Sequence, residues 1–343
     1  MRFCLATLTP NPALDVSGSV KALIPNEKNT VSGERRDPGG NVLNAARIAV
    51  RLGAKPIALG FYGGATGDEL RALLQKEKVP CRLTRIQGQT RVNVTVTRED
   101  THQQTRLSFP GPKVQREEVR ALLEEIDRLR PPGLLLLGGS LPPGVAPNFL
   151  SQVGRRASRR GLGVVLDAPA PVLQEALEGF TPLLIKPNRK ELEDLLGARF
   201  RNDDEIAAAA CRLTSRSALV CVSLGSEGAI LAARGLGGVT RAWKISSPPI
   251  QAKGTVGAGD SLVGGLLTEL GRAGILRPAD VENLDLSAEK KGEIPPKPLW
   301  EALRTGLAAG AATAESAGTS LGRLREIRRL RPHVRVARAF AEC

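Results

Sequence analysis

Aromatic residues are scarce in this chain: Phe, Tyr and Trp together make up 3% of 343 residues, with one tyrosine and two tryptophans. Packing must rest on Leu, Val, Ile and Ala. No aromatic platform for stacking bases is evident, which argues against a single-strand nucleic-acid binder. Two histidines occur, His102 and His333, neither beside a serine, a cysteine or an HExxH pattern. Histidine-based nucleophilic chemistry and zinc chemistry therefore lack material, which points to a carboxylate for any general base. The five cysteines, Cys4, Cys81, Cys211, Cys221 and Cys343, form no CxxC pair and are odd in number, a pattern of free thiols in a reducing compartment. No run of eighteen apolar residues occurs, and the opening MRFCLATLTPNPALD meets prolines too early for a signal peptide. These absences predict a cytoplasmic protein with no membrane partner. A Walker A loop is missing too, so phosphates have to be held in another way.

What is present in excess is positive charge, a formal +14. It attracts anions in general and does not choose among phosphorylated metabolites, nucleotides or nucleic acid. Seven arginines between Arg323 and Arg338 read either as a solvated face or as a basic arm.

Short apolar runs alternate with amphipathic stretches: CLATLTP, NAARIAVRLG, PIALGFYGG, DELRALLQKEKV, then GLLLLGGSL, LGVVLDAPA, LLIKPN and ALVCVSLG. This rhythm predicts an α/β fold, a mostly parallel sheet with helices on both faces. Ligands of such sheets gather at the carboxyl ends of strands. Two segments, 15–37 and 90–109, instead alternate at period two, with Val92, Val94 and Val96 leading to a polar turn near Glu99 and Asp100. They predict a small antiparallel flap, or lid, over the crevice. Residues 271–298 carry charge and four prolines and read as an insertion loop.

Three segments carry the chemistry. Thr255-Val256-Gly257-Ala258-Gly259-Asp260-Ser261 is a glycine-rich turn that opens a helix, since apolar residues follow at 262, 263, 266, 267 and 270. Free amides and the positive helix end would converge there on an anion. Asp260 reads either as a helix cap or as a base beside that anion hole, accepting a proton from an attacking hydroxyl. Lys186-Pro187-Asn188-Arg189-Lys190-Glu191 sets an amide and a carboxylate three apart at a helix start. They form either a capping box or a pair holding hydrated Mg²⁺, with Lys186 near phosphate oxygens. Pro38-Gly39-Gly40-Asn41-Val42-Leu43-Asn44 is either a plain tight turn or a turn that lets the backbone approach a sugar.

In this order, PGGNVLNAAR and QAKGTVGAGDSLVGG resemble the two signatures of the PfkB, or ribokinase-like, carbohydrate kinases, and the likeness covers nearly the whole chain. TLTPNPALD, GGATGDEL, TRVNVTV, GGSLPPGV, KPNRKEL and VSLGSEGA are similar to its 6-phosphofructokinase branch of the minor bacterial type. The resemblance implies one ribokinase-like domain over residues 1–343 that phosphorylates fructose 6-phosphate to fructose 1,6-bisphosphate in glycolysis, using ATP with Mg²⁺. It implies Asp260 as base and Gly257, Ala258 and Gly259 as the anion hole. On the ATP side it implies Lys186, Asn188, Ser223, Gly225, Gly228, Thr255 and Gly257, with Asn188 and Glu191 at the metal. On the sugar side it implies Asp15 at the hydroxyls, Gly39, Gly40 and Asn44 along the sugar, and Lys28, Arg91 and Ser140 near the phosphates. A guanidinium fork at Arg91 also suits a substrate phosphate in its own right. A homodimer joined through the flap and a monovalent cation such as K⁺ near residues 254–258 follow from the likeness alone. Asn41-Val42 departs from the pattern, which commonly has a third glycine or Lys-Gly there.

Two alternatives stay open. The acceptor can be fructose 1-phosphate or tagatose 6-phosphate, and a protein of another class, a non-catalytic sugar-phosphate or nucleic-acid binder, can carry the same fold. Intact Asp260, Asn188 and Glu191 speak against lost catalysis.

Overall fold

GLLLLG at 133–138 leaves no polar position to alternate with, which suits a strand covered on both faces. The computed structural model bears this out. It describes residues 3–101, 103–287, 293–316 and 318–340, so His102, Cys343 and residues 288–292 lie outside the described residues. The first half of the chain runs β1 (Cys4–Thr9), β2 (Ala13–Val20), β3 (Ser32–Gly39), α1 (Asn41–Arg51), β4 (Ile57–Tyr62), α2 (Gly64–Lys76), β5 (Cys81–Arg85), β6 (Arg91–Arg98), β7 (Gln104–Leu107), α3 (Arg116–Asp127), β8 (Gly133–Gly138), α4 (Phe149–Arg159) and β9 (Leu162–Asp167). It continues α5 (Ala170–Gly179), β10 (Leu184–Ile185), α6 (Arg189–Leu196), α7 (Asp203–Leu213), β11 (Leu219–Ser223), β12 (Ala229–Arg234), β13 (Thr240–Ser246), α8 (Ala258–Arg272), α9 (Pro278–Glu282), α10 (Lys297–Ala314), α11 (Leu324–Leu330) and β14 (Arg335–Phe340).

Ten strands form one sheet in the order β14-β13-β12-β11-β10-β9-β8-β1-β4-β5. Neighbours from β5 through to β11 pair in parallel, and β12, β13 and β14 close the far edge antiparallel. Along β8, Leu134 and Leu136 join a core shared with α1, α8 and α10, while Leu135 and Leu137 join one shared with α3, α4 and α7. The sheet is thus sandwiched between two helical layers, as the rhythm of the sequence predicts.

From β1 the chain adds β4 and β5 on one side and later β8, β9, β10 and β11 on the other. The order therefore reverses between β1 and β8, the place where open α/β sheets leave a crevice at their carboxyl ends. Over that crevice stands a separate four-stranded sheet in the order β3-β2-β6-β7. Its two halves, β2 with β3 and β6 with β7, are the expected antiparallel hairpins, and they join through a parallel pair, Ala13 to Val20 beside Arg91 to Arg98.

Two details differ from expectation, and a third narrows an open alternative. The segment 271–298 contains α9 and buries Ile275, Leu276, Val281 and Leu286, because apolar residues lie between its charges. Cys4, Cys81 and Cys221 are free, whereas Cys211 is disulfide-bonded; an odd count and wide spacing do not forbid one bridge in space. The arginine-rich end is no loose arm: Arg329 pairs with Glu315, Arg331 with Glu301, and Arg338 with Asp204 at 2.7 Å. Among the described residues no helix is long and apolar enough to cross a membrane.

Candidate active site

The carboxyl ends of β1, β8, β9 and β10 deliver Thr9, Ser140, Asp167 and Lys186 to one cavity of about 660 Å³, roofed by Asp15, Asn93, Thr95 and Arg106 of the flap. Its floor is the start of α8. Gly257 caps that helix at φ 75°, in the left-handed region, and a Cβ there would lie 2.8 Å from Leu321 Cδ2, so a side chain is opposed by both backbone and space. Ala258 N donates back to Thr255 O at 3.3 Å, whereas the first-turn amides of Gly259 and Asp260 have no backbone acceptor a turn behind them, so their donors and the helix dipole converge at the cavity floor. The turn is held from below: Ser261 Oγ lies 2.7 Å from Thr313 Oγ1, and Ala314 O accepts from Lys253 N at 2.7 Å.

Asp260 stands at this floor, its Oδ2 accepting from Asn44 Nδ2 at 2.9 Å. Burial, then the negative charge of Asp167, pushes its carboxyl up to about 7; the Asn44 hydrogen bond and the charges of Lys186 and Arg106 pull the other way. A group of that proton affinity can exchange a proton near neutral pH. Asp167 lies beside Lys186 because Leu166 and Ile185 are register partners one residue earlier, and the two charged groups meet at 3.1 Å. Burial opposes the Lys186 charge, but Asp167 and Glu191 hold the ammonium above its usual range.

On the flap side, Asp15 Oδ1 accepts from Asn93 Nδ2 at 2.9 Å, and burial raises its carboxyl. Gly39 leaves room for it: a Cβ there would lie 2.3 Å from the Asp15 carboxyl. Arg91 is held by Phe109 O at 2.7 Å, Asn11 O at 2.8 Å and Ser140 Oγ at 3.3 Å. Its Nε is buried without a protein partner.

At the start of α6, Asn188 and Glu191 do form the capping box, with Glu191 N to Asn188 Oδ1 at 2.9 Å and Asn188 N to Glu191 Oε2 at 2.8 Å. Both also line the cavity, so the two readings of that pair are compatible. Asn188 is shared with a neighbouring cavity of about 240 Å³ that carries Ser223 and Gly225. Among the described residues no three His, Cys, Asp or Glu side chains cluster as a metal site. The donor set nevertheless fits a Mg²⁺ that keeps most of its waters, with Glu191 as its protein anchor.

The structure therefore gathers Asp15, Gly40, Asn44, Arg91, Ser140, Lys186, Asn188, Glu191, Thr255, Gly257, Gly259 and Asp260 around one cavity. Gly39 and Ala258 adjoin its wall. Gly228 lies off it at the head of β12, where its carbonyl accepts from Leu224 N. Lys28 is exposed on the connection between β2 and β3 and lines no part of this cavity in the single chain. Sequence reasoning passed over Asn11, Arg106 and Asp167. Only Asp167 left a trace, as the carboxylate that ends LGVVLD.

Residues 12–325 match the model of the pfkB family of carbohydrate kinases. A relative from Mycobacterium tuberculosis named ATP-dependent 6-phosphofructokinase isozyme 2 is 37% identical over 271 residues, 78% of either chain. A 1-phosphofructokinase from Bacillus subtilis is 29% identical over 97% of this chain and 99% of its own. The crystal structure of phosphofructokinase-2 from Escherichia coli in complex with substrates and products superposes with a TM-score of 0.84 at 29% identity, covering 96% of this chain and 98% of the other. The ribokinase-like fold expected from the motifs stands, and the chain belongs to the pfkB family of carbohydrate kinases.

Proposed function

We propose that the chain transfers the γ-phosphoryl group of ATP to the 1-hydroxyl of fructose 6-phosphate, giving fructose 1,6-bisphosphate and ADP. The observation that carries this reading is the Asp260 carboxyl, raised by burial to about 7, beside a helix start with free amides at Gly259 and Asp260, in one cavity with Arg91. The sugar lies between Asp15 and Asn44, its phosphate toward Arg91, Asn11 and Ser140, where a guanidinium and amides favour an anion. Asp260 takes the proton of the attacking hydroxyl as the new O–P bond forms and the bond to ADP breaks. The amides at 257–259 and Lys186 receive the charge that spreads over the transferring group. Glu191 and Asn188 would hold a hydrated Mg²⁺, which would supply charge neutralisation at the phosphates.

The rest of the reading is a cytoplasmic homodimer, with a monovalent cation beside residues 254–258. Support for the dimer comes from the flap, where Leu23, Ile24, Val31, Leu107 and Phe109 are exposed.

The test is an ADP-release assay with MgATP in K⁺ buffer against fructose 6-phosphate, fructose 1-phosphate, tagatose 6-phosphate, fructose, ribose and adenosine. Fructose 6-phosphate is expected to give the highest kcat/KM. A higher value with either other phosphohexose refutes the acceptor, and preference for an unphosphorylated substrate refutes the role given to Arg91.

A further inference from the structure

Arg47 is 2% exposed, one helical turn beyond Asn44 on α1. Two of its nitrogens are taken by Glu77 at the end of α2, Nε at 2.7 Å and Nη2 at 2.5 Å. Asp37 of β3 lies 3.5 Å from Nη2. A buried ion pair would need no more than this. The remaining nitrogen, Nη1, instead donates to Asn44 Oδ1 at 3.1 Å and to Pro38 O at 2.9 Å.

That third contact bears on the base. A side-chain amide can turn over and exchange its oxygen and nitrogen with little change of shape. A guanidinium has donors alone, so whatever faces Arg47 must be Oδ1, and Nδ2 is then left to face Asp260. We propose that Arg47 is a positioning residue: it locks the Asn44 amide so that Nδ2 donates to Asp260, and it ties that lock to the flap strand β3. The inference rests on Asp260 being the base.

Without the lock, Oδ1 of Asn44 can turn toward Asp260 and accept from the protonated acid, stabilising the form that cannot take a proton from substrate. The other groups facing Asp260 do not depend on Arg47. They are Asp167 at the end of β9, Lys186 after β10 and Arg106 on β7. A shift in the acid limb of the pH profile therefore reports on the amide.

Removing Arg47 alone would strand Glu77, whose carboxyl burial raises but the hydrogen bond and charge of Arg47, with Arg51 and Arg35, bring below its usual range. The informative variant is therefore the pair Arg47→Met with Glu77→Gln. Asp37 keeps Arg35 at 3.2 Å and Thr319 at 3.0 Å. The readout is kcat/KM for the sugar phosphate against pH, in the full chain. The acid limb is expected to move up by about one pH unit, so that activity falls about tenfold at pH 6 and largely recovers at pH 9. Arg47→Lys keeps a buried cation for Glu77 and one donor for Oδ1; it should give a smaller shift, and it serves as the test should the paired variant fail to fold. With Asn44→Ala as the starting point, either Arg47 change should leave the limb where Asn44→Ala alone puts it.

Activity lowered equally at every pH, or a limb that moves as far without Asn44 as with it, overturns the proposal. Asp260→Asn separates it from the reading it rests on. Near-normal turnover there removes the base itself, whereas a dead Asp260→Asn beside an unmoved limb in the Arg47 variants removes Arg47 alone.

Discussion

Replacing Asp260 by asparagine should make the protein slower and more stable at once, because the two effects have the same cause. In the folded chain this carboxyl titrates at about 7 against an ordinary 3.8. At 1.36 kcal/mol per pH unit, that span corresponds to about 4 kcal/mol. Asp260 is open to cavity water on one side, so about half, roughly 2 kcal/mol, is the better expectation. The sign follows from linkage. A raised acid binds its proton more tightly when folded, so the ionised form costs stability: in full above pH 7, less as pH falls toward 3.8, and not at all below it.

Asparagine has nearly the same shape, presents an oxygen to Asn44 Nδ2 and carries no charge toward Asp167. Its gain should be about 2 kcal/mol at pH 8, or about 3 °C in melting temperature at the usual unfolding entropy per residue, and less than half that at pH 5. Turnover should fall by at least about a hundredfold. Thermal melts of both forms at pH 8 and pH 5, alongside the ADP-release assay, check both claims. A variant no more stable at pH 8, or a gain that ignores pH, refutes the argument that buried charge tunes this group.

Two further outcomes are expected. Arg91→Ala should raise KM for the phosphosugar at least about tenfold while KM for ATP stays within about twofold, on the scale of a lost charge-assisted hydrogen bond. Equal rises would show that Arg91 does not read the sugar phosphate. Leu107→Asp with Phe109→Asp should turn a dimer into monomers by light scattering, since both side chains are more than half exposed on the flap. A wild-type protein that is monomeric at micromolar concentration refutes the dimer outright.

Residues whose meaning is local were legible in the sequence. The turn at 255–260 announced itself by glycines followed by helical spacing, and Asn188 with Glu191 by the spacing of a cap; both lie at the cavity. The alternating segments gave the flap hairpins, because period two is itself the signature of a strand. Features that depend on pairing across the chain were not legible. Asp167 matters because β9 and β10 are in a register that sets it against Lys186, and no local pattern encodes that register. The parallel join of β2 to β6 spans 78 positions from Ala13 to Arg91, so the flap's composition was visible while its assembly was not. Lys28, which the resemblance sets near the phosphates, stands in the single chain on an exposed connection away from the cavity.

That parallel join has a mechanical consequence. A flap made from one hairpin would hang from two adjacent strand ends and could swing freely. This one is rooted at four points: residues 10–12 after β1, Gly40 alone before α1, residues 86–90 after β5, and residues 108–115 before α3. A plate moored at four corners loses most of its rigid-body freedom, so Asp15, Asn93 and Arg91 must travel together or not at all. Opening the cavity is then a bending of the whole plate, and any load on its outer surface is transmitted directly to the side chains above the cavity.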